Sequence, residues 1–205
     1  MLNRQARFTT DDSRLIPYQI MSTTDKQYDE IIESCKRIFL KKNNDYGTAW
    51  RVLRTISIVD QIFIKATRIR TIQEKGEQKV SDGIAGEFKG IINYAIIGLM
   101  QLELTPDDPE EMLEEKVTSL FSKIIATSKK LMQDKNHDYG EAWRSMSQES
   151  FVDLILMKLQ RIRQILANDG KTIMSEGIDA NYLDIINYGV FALILMSEEE
   201  VKSQK

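Results

Sequence analysis

Lys42-Asn43-Asn44-Asp45-Tyr46-Gly47-Thr48-Ala49-Trp50-Arg51 returns 93 positions later as Lys135-Asn136-His137-Asp138-Tyr139-Gly140-Glu141-Ala142-Trp143-Arg144. The register persists through Ser57/Ser150, Asp60/Asp153, Lys65/Lys158, Arg68/Arg161 and Ile72/Ile165. One residue is then inserted, and Gly83-Ile84 and Ile91-Ile92-Asn93-Tyr94 match Gly177-Ile178 and Ile185-Ile186-Asn187-Tyr188. Self-similarity of this length means two copies of one structural unit. It also gives each polar residue an internal control, because a side chain kept in both copies is less readily a random surface choice.

Working outward, the periodicity in both copies is helical. Tyr28, Ile31, Ile32, Cys35, Ile38 and Phe39 follow the three-and-four spacing of one helix face, as do Phe121, Ile124, Ile125, Ser128, Leu131 and Met132. A short helical piece is expected around Trp50 and Trp143, after the Asp-Tyr-Gly turn. Ser57 and Ser150 each precede an aspartate by three residues, which predicts a capping box at the start of the next helix. Gly76 and Gly170 mark its end. The last helix of each copy is apolar nearly all round, which places it at the centre. No stretch alternates with period two for long enough to predict a sheet. The fold class is therefore all-α, a tandemly duplicated helical bundle with pseudo-two-fold symmetry.

The expected organisation is an N-terminal arm over 1–24, a first repeat over 25–104, a linker and helix start over 105–112, a second repeat over 113–197 and a charged, fraying tail over 198–205. Thr105-Pro106-Asp107-Asp108-Pro109 is the clearest linker signal. The two repeats are expected to pack as one unit.

Of the 205 residues, 42% are hydrophobic and 29% charged, ordinary for a soluble globular chain. A net charge of −3 supplies no overall attraction to duplex nucleic acid or to an anionic membrane. The apolar runs over 91–102 and 185–196 are short for a bilayer span. The single cysteine, Cys35, has no internal disulfide partner. These features point to a cytoplasmic protein, compatible with a homo-oligomer.

Candidate chemistry begins with Lys65. At 100° per residue, with Ile58 at zero, Ile62 falls at about 40°, Ile69 at about 20°, Ile72 at about 320° and Lys65 at about 340°. The lysine thus lies inside the apolar arc, with Arg68 on its border, and Lys158 and Arg161 repeat the arrangement. A lysine turned towards a core is costly unless it snorkels or meets an acid or an anion. Either an internal ion pair or a phosphate-facing Lys/Arg pair satisfies it. Glu87 shares a stripe with Tyr94. In the second copy the acid has moved one turn: Glu87 aligns with Asn181, and Gly90 with Asp184. Glu87 and Asp184 are therefore the candidate catalytic acids, as partners of the lysines or as groups positioning Mg²⁺ or a water. Asn93 and Asn187 lie within apolar runs and need hydrogen-bond partners, from another helix or from a base or ribose. In the Asp-Tyr-Gly turn, either Lys42 and Asp45 (with Lys135 and Asp138) flank a pocket mouth, or the aspartate caps the next short helix while Tyr46 (or Tyr139) packs in the turn. Trp50 and Trp143 offer a stacking wall. Asp60 and Asp153 lie opposite the apolar arc and are discounted as catalytic. His137 reads as a loop residue. The acids at Asp29, Glu30, Glu33, Glu110, Glu111, Glu114, Glu176 and Asp179 could hold Mg²⁺ against a triphosphate, but a solvated helix face is the preferred reading.

The residues Lys42 to Gly47, Asp60 to Ile69 and Gly83 to Tyr94, repeated at Lys135 to Gly140, Asp153 to Ile162 and Gly177 to Tyr188, resemble the nucleotide modification associated domain 1 family. The resemblance covers 25–104 and 113–197. It implies an all-α fold and an association with nucleotide metabolism or nucleic-acid modification, with no particular reaction attached. Carried onto this chain, the ligand-binding candidates it implies are Lys42, Asp45, Tyr46, Trp50, Lys65, Arg68 and Asn93, with Lys135, Asp138, Tyr139, Trp143, Lys158, Arg161 and Asn187. The expected function is binding of a nucleotide or related phosphate compound, extending to Mg²⁺-dependent phosphohydrolysis if the protein is an enzyme. The alternative is a non-catalytic helical interaction module whose Lys–acid pairs are internal.

Overall fold

The computed structural model describes residues 22–77, 83–172, 174 and 176–203. Six helices follow in order: α1 (Thr23–Tyr46), α2 (Thr55–Lys75), α3 (Ile84–Glu103), α4 (Glu114–Tyr139), α5 (Gln148–Ala167) and α6 (Ile178–Ser203). Short 3-10 turns at Ala49–Val52 and Ala142–Ser145 carry the two tryptophans, as expected. There is no strand among the described residues. Most of the N-terminal arm lies outside them.

The two apolar helices, α3 and α6, pack on each other at the centre. Each also packs on the second helix of its own repeat, α2 or α5, and α2 packs directly on α5. The α3–α6 crossing relies on small residues. A Cβ at Gly98 would stand 2.6 Å from the Tyr182 ring, and one at Gly189 would stand 2.9 Å from Ile92. The positions equivalent to these glycines hold Ala192 and Ala95, so each copy contributes one glycine and one alanine. Between α2 and α5 the pseudo-symmetry is visible in charge. Arg70 pairs with Asp153 at 2.5 Å, and its counterpart Arg163 pairs with Asp60 at 2.8 Å.

Those aspartates do not cap helices, contrary to expectation. The N-caps are Arg54, which has no side-chain cap bond, and Ser147, whose hydroxyl accepts from the Ser150 amide. Ser57 and Ser150 already lie inside the first turn, because the chain enters helix directly from the Trp-bearing turn. A capping box does exist at Ser22 and Asp25, opening α1. Gly76 closes α2 with a left-handed cap, and Gly170 sits in the turn just beyond α5. The fraying expected after Ser197 is also corrected, since α6 continues to Ser203. Gln27 donates to Glu198 at 2.7 Å, Arg144 donates to the same carboxylate at 2.8 Å, and Gln148 donates to Glu199, so the acidic tail is tied down. At 26 residues α6 meets the length and composition of a membrane span, with 72% of its most apolar window buried inside the protein. A central bundle helix has the same composition.

The interior holds several groups that burial keeps protonated. Burial pushes the Cys35 thiol up to about 12 and moves the Tyr28 and Tyr182 phenols well above their ordinary 10.0. Groups raised in the folded state stabilise it fully below the unfolded value and lose that contribution as pH rises. Stability should therefore hold up to pH 9.0, the ordinary thiol value. It should then fall by up to about 1.4 kcal/mol per pH unit for each buried group that titrates in the unfolded chain. Urea midpoints across pH 8–11, with tyrosinate absorbance recorded in parallel, measure this. Three of the seven tyrosines, Tyr28, Tyr182 and Tyr188, should ionise over this range only on unfolding.

Candidate functional site

Lys65 on α2 does point inward, and Gly90 on α3 makes its path. A Cβ at Gly90 would lie 2.8 Å from Lys65 Cε, so a side chain there would have to displace the flexible end of the lysine. The ammonium donates to Glu87 Oε2 at 3.1 Å, and Arg68 donates to the other carboxylate oxygen. Glu87 is buried, whereas the two cations keep about a quarter of their side-chain area in water, at 27% and 26%. Lys65 and Glu87 form one wall of an open cavity of about 570 Å³ between α1, α2 and α3, with Arg68 behind Glu87 and outside the lining. Lys42, Lys65 and Lys89 bring three cations to its lining, Glu87 is its only carboxylate among the described residues, and Trp50, Tyr46 and Tyr94 supply aromatic surface. Drug-sized ligands occupy cavities of roughly 300–1,000 Å³.

The second repeat uses the same parts and closes. Asp184 occupies the place of Gly90, and its carboxylate bridges Lys135 Nζ at 2.6 Å and Lys158 Nζ at 2.5 Å. Lys158 and Asp184 are only 5% and 4% exposed. Arg161, expected to mirror Arg68, is exposed, and no ion pair joins it to Asp184. The reason is the displaced acid, which sits one turn later on its helix and meets Lys135 instead. Burial first, and then the nearby Asp184 carboxylate, push the Tyr188 phenol up to about 12.

The tryptophans differ in the same sense. Trp143 is buried, stacks on Phe191 with ring centroids 4.2 Å apart, and donates from Nε1 to Asn136 Oδ1 at 3.1 Å. In the first repeat Ile97 replaces Phe191, and both Trp50 Nε1 and Asn43 Oδ1 are buried without a partner among the described residues. Asn93 and Asn187 diverge likewise. Each donates its amide to a backbone carbonyl of the first helix in its own repeat, Cys35 O at 3.1 Å or Ser128 O at 3.2 Å. Asn187 Oδ1 then accepts from the Tyr28 and Ser128 hydroxyls, but the equivalents facing Asn93 are Phe121 and Cys35, and its Oδ1 is left unpaired. Asn43, Trp50 and Asn93 all line the open cavity. An unmet buried polar atom costs about 1–3 kcal/mol; the second repeat has such atoms too, at Asn181 Oδ1 and the Tyr182 hydroxyl, but its counterparts of Asn43, Trp50 and Asn93 are paired.

Several expected residues do not join the site. Asp45 and Asp138 lie in the last turns of α1 and α4 and are exposed, as is Tyr139 (73%). Tyr46 is 70% exposed at the cavity mouth, not packed in the turn. Among the described residues, the His137 ring bonds Asp138 alone. Among the described residues, no three His, Cys, Asp or Glu side chains come together as a metal-binding group. Three residues were missed by sequence reasoning: Asn43, Lys89 and Gly90. The available signal was the failure of the repeat, because Lys89 aligns with Leu183 and Gly90 with Asp184. The 3-10 turn below the cavity is itself held firmly. Gln101 donates to the Arg51 and Leu53 carbonyls at 2.8 and 3.0 Å, and Thr48 Oγ bridges Glu110 O and Met112 N of the linker.

No curated protein and no solved structure matches the chain. A family model described as nucleotide modification associated domain 1 matches it twice, over residues 42–102 and 135–196. Those two segments contain nearly all the parts just described, open in one case and closed in the other, and together they span more than half the sequence. The chain belongs to the nucleotide modification associated domain 1 family and carries two copies of its domain.

Proposed function

We propose that the first repeat binds a nucleotide or a closely related phosphate compound, and that the second repeat is its structural counterpart. One observation carries this: among the described residues, three lysines and a single carboxylate already paired with cations converge with a tryptophan on an open cavity of about 570 Å³. Excess positive charge in a partly water-excluded cleft favours an anion. The Trp50 face and the unpaired Asn43, Trp50 and Asn93 atoms suit a flat, polar-edged group such as a base. The family's association with nucleotide modification points the same way.

Glu87 favours binding over Mg²⁺-dependent hydrolysis. It is bonded to Lys65 and Arg68, and among the described residues no second carboxylate lines the cavity beside it, a donor set that orients cations and leaves little charge for a divalent metal. The rival reading, internal Lys–acid pairs with no ligand, is favoured by a specific observation only in the second repeat, where Asp184 closes the site.

A thermal-shift panel of nucleoside mono-, di- and triphosphates, with and without Mg²⁺, tests the proposal. Ligand at about 100 times its dissociation constant adds about 2.7 kcal/mol. For a chain of this size that moves the melting temperature by roughly 5–10 °C. The shift should shrink in Lys42→Ala, whose exposed side chain has little structural role. Flat curves across the whole panel would sink the ligand reading.

A further inference from the structure

We infer that the second repeat displays, in its own side chain, where the ligand's charged group sits in the first: an oxyanion bridging Lys42 and Lys65 above Gly90. This rests on the ligand reading above and deepens it. The Asp184 carboxylate spans two ammonium groups, one oxygen to each, at 2.6 and 2.5 Å. Lys135 corresponds to Lys42, Lys158 to Lys65, and Asp184 to Gly90. Removing the acid from this arrangement yields the first repeat: the same two lysines line a cavity, with no side chain at position 90 to fill it. Glu87, one turn away, engages Lys65 and Arg68, and among the described residues no carboxylate pairs with Lys42 or Lys89.

The identity of the oxyanion follows from the third cation. At the position of Lys89 the second repeat has Leu183, and there a singly charged carboxylate suffices. With Lys89 added to the cavity lining, a doubly charged phosphoryl group is the better match, since each extra unit charge adds to the attraction. Gly90 is then a specificity residue, because an acidic side chain there takes the seat, as Asp184 does in the second repeat.

Inorganic phosphate and acetate serve as probes, read by thermal shift and by phosphorus NMR line broadening. Wild-type protein should bind phosphate in preference to acetate. Gly90→Asp should fold, because the second repeat already accommodates this arrangement and the atoms met by the new Cβ belong to the flexible end of Lys65. It should lose phosphate affinity by about tenfold or more, since a fixed like charge occupies the seat. Gly90→Ala adds a methyl group without charge and should retain more of the affinity than Gly90→Asp. Conversely, Asp184→Gly should acquire a phosphate-dependent rise in melting temperature larger than that of wild type. Phosphate binding that survives Gly90→Asp unchanged overturns the inference, as does acetate bound as well as phosphate. If phosphate behaves as described but no nucleotide binds more tightly than phosphate alone, the oxyanion seat stands and the nucleotide reading falls. If nucleotides bind wild type and Gly90→Asp equally, the nucleotide reading stands and the seat lies elsewhere.

Discussion

Asp184→Ala should lower the unfolding free energy by about 3–5 kcal/mol, the cost of stranding a buried charge whose partner has been removed. For a chain of this length that is a fall on the order of 10 °C in melting temperature. The size follows from burial: Lys158 is 5% exposed and cannot reach water without leaving its helix face, whereas Lys135, with 44% of its side chain in solvent, can. The matching change in the first repeat, Glu87→Ala, should cost only about 1 kcal/mol, because Lys65 and Arg68 are already partly hydrated. The double variant Asp184→Ala/Lys158→Met should recover most of the loss, since the expense lies in the orphaned cation and not in the missing attraction. Urea denaturation of the three variants measures the set. An Asp184→Ala protein within about 1 kcal/mol of wild type would show that Lys158 finds water.

Gly98→Ala should be destabilising by about 1–3 kcal/mol, although glycine is a poor helix former. In an exposed helix the same change would gain up to about 1 kcal/mol from propensity. At position 98 the added methyl would sit 2.6 Å from the Tyr182 ring, which is completely buried and packed between the two central helices. Relief requires α3 and α6 to part, and parting them loosens contacts along the whole crossing. Gly86→Ala on the same helix meets nothing within 4 Å and serves as the control, with a neutral or slightly positive effect. The two variants compared by thermal melting separate packing from propensity.

The architecture was readable because helical periodicity and a long repeat report on many residues at once. An apolar arc is averaged over five or six turns, so a few misplaced caps do not alter it. The inward turn of Lys65 was legible for the same reason. What the repeat hid was asymmetry. Treating Lys158/Arg161 as a second version of Lys65/Arg68 assumed that equivalent residues have equivalent partners, whereas a carboxylate moved by one turn exchanges Arg68 for Lys135. The cavity itself was not readable. It is an absence of volume, produced by Gly90 where the other copy has aspartate and by Ile97 where the other has phenylalanine, and each change is unremarkable alone. The Ser57 and Ser150 caps failed because a box motif specifies two hydrogen bonds, not the point at which the chain enters helix from a preceding turn.

The Tyr28 hydroxyl has a longer reach. It lies in the first half of the chain yet satisfies Asn187 in the second, while Phe121 returns no such donor to Asn93. The exchange runs one way: the closed half owes part of its completeness to its neighbour, and the open half keeps its unmet acceptor. The two copies of the domain are thereby unequal: a change at Tyr28 in the first would be felt inside the second, with no matching dependence in return.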